Sequence, residues 1–546
     1  MNGRCVASVT GVVTAVLGSR NGQSFWFQDP VGDGNPATSQ GLLVTAPEGL
    51  ALVSEGDEVR IDGRVEEPSR GEELPVTRLR ATKVAREKSG SAVPPPLVIG
   101  EDGVRIPPAA VASPSLRVFD PSLYAADAFE SLEGMRVRIT DPVVVGPTSR
   151  YGEAVVLADR GVGVGPRTAR GGLELGDSGP DLERIMISDR LLSERTRLTV
   201  GDCLQGPVEG ILHYTFGSYK ILCTSALPPV EAGGLEREVT ALEGDHEHLT
   251  VATFNLENLS ALSPEDKLVA LGVMVARNLR SPDILAVQEV QDDSGPTNDG
   301  TVTAEETMTR LTEAVEAAGG AHYEWRSVDP VDGADGGQPG TNIRTAFLFN
   351  PARVSFVDRG VGTGADRAAG PFPEVSPGLM AADAPAFAAG ADGHGGTRKP
   401  LAGDFRFAGR RLVVVNLHLV SKGGDDPLFG RRQPPLHPSS ERREAQAQAV
   451  GNSVRQLLED DPGTSVIVLG DLNDFVDSSP LQILEGAGLE DLLKRLPADD
   501  RYTYVFRGSS QVLDHVLVSS DLGEDVEVDA VHLAAEFPEA QRPTDH

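Results

Sequence analysis

Cysteine is scarce in this 546-residue chain, which holds only Cys5, Cys203 and Cys223 and no CxxC spacing. That excludes a disulfide framework and a cysteine zinc site, and leaves open whether Cys203 and Cys223 pair in an oxidising compartment. Aromatic residues are few, at 5%, and basic residues fall far short of acidic ones, 49 against 81, for a formal net charge of −32. A surface of that sign repels polyanions at long range, so any phosphate chemistry needs local help; its plainest service is solubility. No apolar run approaches the ~20 residues that cross a bilayer. The opening MNGRCVASVTGVVTAVLGSRNG lacks the basic start of a signal peptide. What is plentiful is turn-forming residues, 61 Gly and 39 Pro, without the period of three that marks collagen. They favour many short strands over helical bundles.

A chain of this length exceeds one hydrophobic core and divides into roughly three or four domains. Residues 1–88 read as five short strands, among them SFWFQDP, GLLVTAP and GDEVRIDGRVEE, a pattern that predicts a small β-barrel. Residues 89–129 open with a Pro-rich connector. A second β-rich stretch, 130–228, echoes the first: GDEVRIDGRV at 56–65 resembles GDCLQGPVEG at 201–210. Residues 229–247 read as a linker. From 248 to 546 apolar strands alternate with amphipathic helices, the pattern of a layered α/β domain. The Gly- and Ala-rich stretch 358–397 reads as a long surface insertion.

Three buried-type strands in that last region run straight into polar residues. Asn255 and Glu257 follow VATF, Glu289 follows ILAVQ, and Asp471, Asn473 and Asp474 follow VIVLG. Carboxylates there sit at the rim of a sheet, where ligands bind. Glu289 with Asp471 or Asp545 offers oxygen ligands for a divalent ion, and Mg²⁺ suits one or two carboxylates plus water and phosphate. Each feature has a bland alternative. Asp471 and Asn473 in DLND would cap a turn, His418, on one strand face with Asn416, would be a satisfied core histidine, and Asp514 and His515 would be edge-strand polar residues.

Taken in order, N-x-E, Q-E, N-x-H, D-x-N, L-D-H and the closing D-H resemble the endonuclease/exonuclease/phosphatase superfamily, the fold of DNase I-like nucleases. TNIRTAFLFNPARV and TRKPLAGDF are similar to segments of its large bacterial extracellular nucleases. FWFQDPVGDGNPATSQG and FGSYKIL resemble the oligonucleotide-binding-like (OB-like) modules those nucleases carry upstream. The resemblance implies two OB-like barrels followed by a four-layer sandwich of two packed β-sheets flanked by helices. It implies metal-proximal Asn255, Glu289 and Asp545; catalytic His418, Asp471, Asn473, Asp514 and His546; and substrate-binding Arg344, Arg398, Lys399, Asn416 and Lys422. Thr544 stands where Ser is more usual in the family.

The implied activity is a secreted, divalent-metal-dependent nuclease, with Mg²⁺, or else Mn²⁺ or Ca²⁺, acting on DNA and secondarily RNA. His546, held by Asp514, would serve as general base or as a phosphate-directed imidazole. Ten Lys or Arg against four Asp or Glu between Arg398 and Arg443 suggest a basic rim beside His418, or equally a solvated helix and loop. Two alternatives remain: a phosphatase or sphingomyelinase on the same scaffold, and a binding protein with a degenerate catalytic domain. Family members continue past the Asp-His pair with a short strand, so the chain reads as a piece of a longer secreted protein, and a terminal histidine needs packing to be held for catalysis.

Overall fold

The structure is a computed structural model that describes every residue except 1, 20–21, 115–116, 177–178, 361–371, 373, 389–395 and 524–525. Nearly half of the predicted Gly/Ala-rich insertion, residues 361–371, 373 and 389–395, lies outside the described residues. The chain forms two compact units. Unit 1 comprises Met1–Leu235 with Asp425–Leu436 and Phe506–Ser509, and unit 2 comprises Glu236–Gly424, His437–Val505 and Ser510–His546.

Unit 1 begins with a closed barrel of β1 (Cys5–Ser19), β2 (Gly22–Gln28), β3 (Gly41–Pro47), β4 (Glu58–Glu66) and β5 (Arg78–Lys88), in the order β1-β2-β3-β5-β4. Strand alternation sends Phe25, Phe27, Val44, Ile61 and Leu79 inward, while Trp26 on the opposite face packs with Ala15, Ile211 and Leu222.

The second β-rich stretch is not a barrel. Its strands are β6 (Leu97–Val98), β7 (Arg136–Ile139), β8 (Val143–Gly146), β9 (Glu153–Leu157), β10 (Ile185–Ser188), β11 (Cys203–Leu204), β12 (Val208–Thr215), β13 (Ser218–Cys223) and β14 (Val230–Glu231). They form one sheet in the order β14-β11-β8-β9-β10-β13-β12-β7-β6. Its two end strands are two residues long and do not pair with each other, so the sheet does not close. A short helix, α1 (Ala125–Glu130), adds Phe129 to its core. Cys203 and Cys223 are both free. The sequence echo has a structural counterpart. Gly56 and Gly201 take φ of +81° and +86°, and the Asp57 and Asp202 carboxylates accept from the Ser54 and Thr199 amides at 2.9 and 2.8 Å.

Unit 2 has four layers. One sheet contains β15 (Val251–Leu259), β16 (Ile284–Val290), β17 (Glu324–Ser327) and β18 (Arg344–Phe349), ordered β15-β16-β18-β17. The other contains β19 (Ser355–Phe356), β20 (Gly378–Leu379), β21 (Leu401–Phe407), β22 (Arg410–His418), β23 (Ser465–Asp471), β24 (Leu489–Asp491) and β27 (Asp514–Ser519). Its path is β19-β21-β22-β23-β27-β24, with β20 beside β21. A hairpin of β25 (Tyr504–Phe506) and β26 (Ser509–Gln511) stands apart. Helices α2 (Glu265–Val273) and α3 (Glu305–Ala317) cover the first sheet, and α4 (Pro438–Asp460) and α5 (Ser479–Glu485) the second.

The period of two decides which side chain meets which layer. On β22, Val413, Val415 and Leu417 face the helices, while Leu412 and Val414 join Ile284, Ala286, Phe347, Phe405, Ile467 and Val518 between the sheets. Asn416 and His418 continue that inner face, as Gln288 does on β16 and Asp471 on β23. The gap is thus apolar at its centre and polar at one end.

Asn416 does not reach substrate. It is fully buried; its Nδ2 donates to the Val287 and Ala346 carbonyls at 3.0 and 2.9 Å, and its Oδ1 accepts from Gln288 Nε2 at 2.7 Å. The amide pins one sheet to the other. Asn416→Leu strands these groups, each at roughly 1–3 kcal/mol, so unit 2 is expected to lose about 3 kcal/mol or more. The chain's two tryptophans are Trp26 and Trp325, so Trp325 fluorescence during denaturant unfolding, in a Trp26→Phe background, reads this loss in unit 2.

Candidate active site

The polar end of the inter-sheet gap is built from strand register. His418 pairs across β22 and β23 with Asp471, and Asp471 pairs across β23 and β27 with Asp514, so the three lie in one row. Gly470 makes the row possible: at φ +138° a Cβ there would lie 2.0 Å from the Leu417 carbonyl oxygen.

Asp471 is the centre. Its Oδ2 accepts from Asn255 Nδ2 at 3.1 Å and its Oδ1 from the Asn473 amide at 2.9 Å. Two imidazole Nε2 atoms approach Oδ2, from His418 at 3.5 Å and from His546 at 3.8 Å. His546 is held by Nδ1 against Asp514 Oδ2 at 2.7 Å and lies 4.9 Å, centroid to centroid, from the Tyr504 ring. The backbone leading to it is tied by Thr544 Oγ1, which donates to the Asn255 carbonyl at 2.8 Å. Packing therefore supplies the anchoring this histidine needs.

Glu289 approaches from the other sheet. Its Oε1 is 3.4 Å from Asn255 Nδ2 and 3.8 Å from His418 Nε2, and its Oε2 accepts from the Asn258 amide at 2.9 Å. Register shifts interrupt β15 after Asn255 and β16 after Val287, and such irregularities re-aim side chains. Glu257, Asn258, Glu289 and Asn473 all take left-handed φ, between +45° and +59°. Strain of this kind, of order 1 kcal/mol or more per residue, gathers where a site demands it.

The electrostatics follow from crowding acids in a buried place. Burial pushes the Asp471 carboxyl up to about 7, helped by Asp514 and Glu289 and opposed by His546. Glu257 likewise rises to about 7 through burial and the negative charges of Asp545 and Glu289. Burial alone would lower the His546 pKa, but Asp514, Asp471 and Asp545 raise it well above its ordinary value, so the ring carries charge at neutral pH. Burial and the positive Arg398 and His546 keep His418 neutral.

The cations are less available than the sequence suggests. Arg344 is buried, bonded to Asp329 and to the Val302 and Asn342 carbonyls, and lines a small cavity with Arg398 and Lys399. Lys399 pairs with Asp335, and Lys422 braces the loop after β23 by donating to the Asn473 carbonyl. Arg398, also buried, donates to the Leu419 carbonyl at 2.9 Å and sets its positive field on Glu289 and Asp471. The expected basic rim is largely consumed: Arg443 is buried against Asp474 at 2.7 Å, and Arg411 pairs with Asp404 and Asp461.

A family model described as Endonuclease/Exonuclease/phosphatase family matches residues 252–546, more than half of the chain. The chain belongs to this family. The endonuclease/exonuclease/phosphatase family comprises phosphodiesterases and related hydrolases, and that class of chemistry applies here. A second model, Domain of unknown function (DUF8508), matches residues 98–232. Similar solved structures include D. rerio TDP2 complexed with a single-strand DNA product (18% identity, 55% of this chain and 95% of that one, TM-score 0.34). Another is an endonuclease/exonuclease/phosphatase family protein from Bacteroides thetaiotaomicron (18%, 50% and 82%, TM-score 0.29). No curated protein matches the chain.

The donor set suits a hard divalent cation. Glu289, Asn255 and Asp545 offer oxygens, and beside them Glu257 is raised first by burial and then by the negative charges of Asp545 and Glu289. Among the described residues no group of three or more His, Cys, Asp or Glu is placed to hold a metal ion; Mg²⁺, which keeps several waters, needs only one or two carboxylates from the protein.

Sequence reading missed two contributors and gave a third, His515, only an edge-strand role. Tyr504, on a three-residue strand with no motif of its own, donates to Asp545 at 3.2 Å. Lys267, one turn into α2, reaches the Glu257 carbonyl. His515, fully buried behind the row, joins Asp491 through Nδ1 at 2.9 Å and the Asp474 carbonyl through Nε2 at 3.0 Å.

His515 carries a pH signature. Burial would lower its pKa, but Asp491, the Asp474 carbonyl and Asp514 raise it above 6.5. A raised folded-state pKa gives stability that is complete below the unfolded value of ~6.5 and lost as pH climbs through the folded one. Unit 2 of the wild type is therefore expected to weaken between pH 7 and 9 more steeply than His515→Gln, as read by denaturant midpoints at each pH.

Proposed function

We propose that the chain is a divalent-metal-dependent nuclease that hydrolyses phosphodiester bonds, with DNA as first substrate and RNA as second. The observation that carries this reading is the convergence of His418, Asp471, Asp514, His546, Asn255 and Glu289 on one end of the inter-sheet gap. Phosphodiester hydrolysis joins a water oxygen to phosphorus, breaks the bond to one ester oxygen and moves a proton from the water to that leaving oxygen.

Asp471, with Asn473 shaping its loop, orients the attacking water and takes its proton. His546 is fixed by Asp514 so that Nε2 faces the gap, where its N–H neutralises a phosphoryl oxygen as charge builds. His418 is a neutral second donor, and Arg398 supplies fixed positive field from beneath. Glu289, Asn255 and Asp545 would hold Mg²⁺, or Mn²⁺ or Ca²⁺ in its place, which when bound offsets charge on the phosphate and the leaving oxygen. The β-rich unit 1 favours a polymer over a lipid or inositol phosphate. Action outside the cell belongs to the same reading, supported by the resemblance of the domain order to extracellular nucleases.

Plasmid DNA is expected to be cut with Mg²⁺ and left intact with a chelator, while sphingomyelin and inositol polyphosphates remain unhydrolysed. One preorganised donor aimed at developing charge typically contributes ~100-fold or more, so His546→Ala and Asp514→Asn should each lower the cleavage rate ~100-fold with folding unchanged by circular dichroism. Intact nucleic acid in the presence of all three ions would sink the proposal.

A further inference from the structure

Two hairpin tips of unit 1 share an unusual pair of dihedrals. Phe216 and Gly217 join β12 to β13 with φ of +52° and +71°, and Arg507 and Gly508 join β25 to β26 with +47° and +81°. Two positive φ values in a two-residue loop make the I′ turn, which favours Asn-Gly and in which a bulky first residue is strained.

The tips touch. Arg507 Nη2 donates to the Phe216 carbonyl at 2.9 Å, and its guanidinium carbon lies 5.4 Å from the Phe506 ring centroid. Arg184 fixes the second tip from below, donating to the Arg507 carbonyl at 2.6 Å and the Ser509 hydroxyl at 2.7 Å. Phe216 is 56% exposed and Phe506 49%. Arg70, itself exposed, lies 5.7 Å from the Phe216 centroid. Lys220 lies 5.6 Å from it, with its charge taken up by Glu153. No core packing accounts for either ring.

We propose that these tips form a binding site for single-stranded nucleic acid, in which Phe216 and Phe506 stack on unpaired bases and Arg70 and Arg507 meet the backbone phosphates. Exposed rings bearing cations match a polyanion with free π faces. A duplex, whose bases are already stacked, does not offer those faces. The charge match is local, in a chain of net −32. This inference rests on the nuclease reading and deepens it by naming the form of substrate.

The test measures anisotropy of a labelled oligothymidylate with the full chain in EDTA, the oligonucleotide being checked as intact afterwards. Phe216→Asn installs the favoured turn sequence, so it should melt no lower than wild type while binding about tenfold more weakly, the scale of one lost stack. Phe506→Ser should weaken binding similarly, and Arg70→Glu should flatten its salt dependence. Duplex affinity should change little. Wild-type affinity in both phenylalanine variants, no oligonucleotide binding by wild type, or an equal loss for duplex would overturn the proposal. Hydrolysis of bis(4-nitrophenyl) phosphate separates the two readings: it persists in these variants if only the platform fails, and is missing from wild type if the nuclease reading fails.

Discussion

Burial of the Asp471 carboxylate is the constraint on which the site depends. A charge taken out of water is costly unless it is hydrogen-bonded and paired. Asp471 meets that demand with donors from both sheets, Asn255 from one and the Asn473 amide from the other, and with two imidazoles close by. Each partner is in turn fixed by something else: His546 by Asp514, and Asn255 by the amide of Glu257, which donates to its Oδ1 at 2.9 Å. The centre is therefore built from interdependent groups, and removing one leaves another buried without compensation.

Such a centre needs a rigid base, which the inner faces of the sheets provide. Below the row of His418, Asp471 and Asp514, the amides of Gln288 and Asn416 cross the gap; below them the packing is entirely apolar. An amide can join two sheets without a net charge, which suits a depth where water no longer compensates. The strain at Glu257, Asn258 and Glu289 is then borne by well-packed strands, and that at Asn473 by the loop directly after β23. Flexible elements would relax it and lose the aim of the carboxylates.

Much of this was legible in the sequence because it depends on strand period. Asn416 and His418 could be placed on one face by counting in twos, and the order of the motifs carried the family resemblance; for Asp471 and Asn473 the count fails, because β23 ends at Asp471 and Asn473 turns to φ +52°. The family's layered domain follows from the same alternation. What counting could not supply was depth. Arg344 and Asn416 lie on the right strands but are buried and spent on internal hydrogen bonds, a distinction set by tertiary packing. Tyr504 was missed, and His515 was read only as an edge-strand polar residue, for the same reason, since contacts to Asp545 and Asp491 are made by tertiary packing. The second β stretch has the composition of a barrel, yet whether a sheet closes is decided by its end strands, and β6 and β14 are too short to show in any pattern.

The overall charge and the local chemistry are reconciled by range. At physiological salt, fields fade over ~8 Å, so the −32 of the chain governs the distant approach of a polyanion but not its final contacts. Arg398 acts inside that distance and is buried, where screening is weaker and a single guanidinium counts for more. An acidic chain can therefore handle phosphate esters without a broad basic surface, provided its few effective cations are fixed and close to the reacting atoms. The consumption of Arg411, Arg443 and Lys399 in internal pairs follows from the same logic: these cations serve the frame, and the contacts with substrate fall to a small number of rigidly held groups.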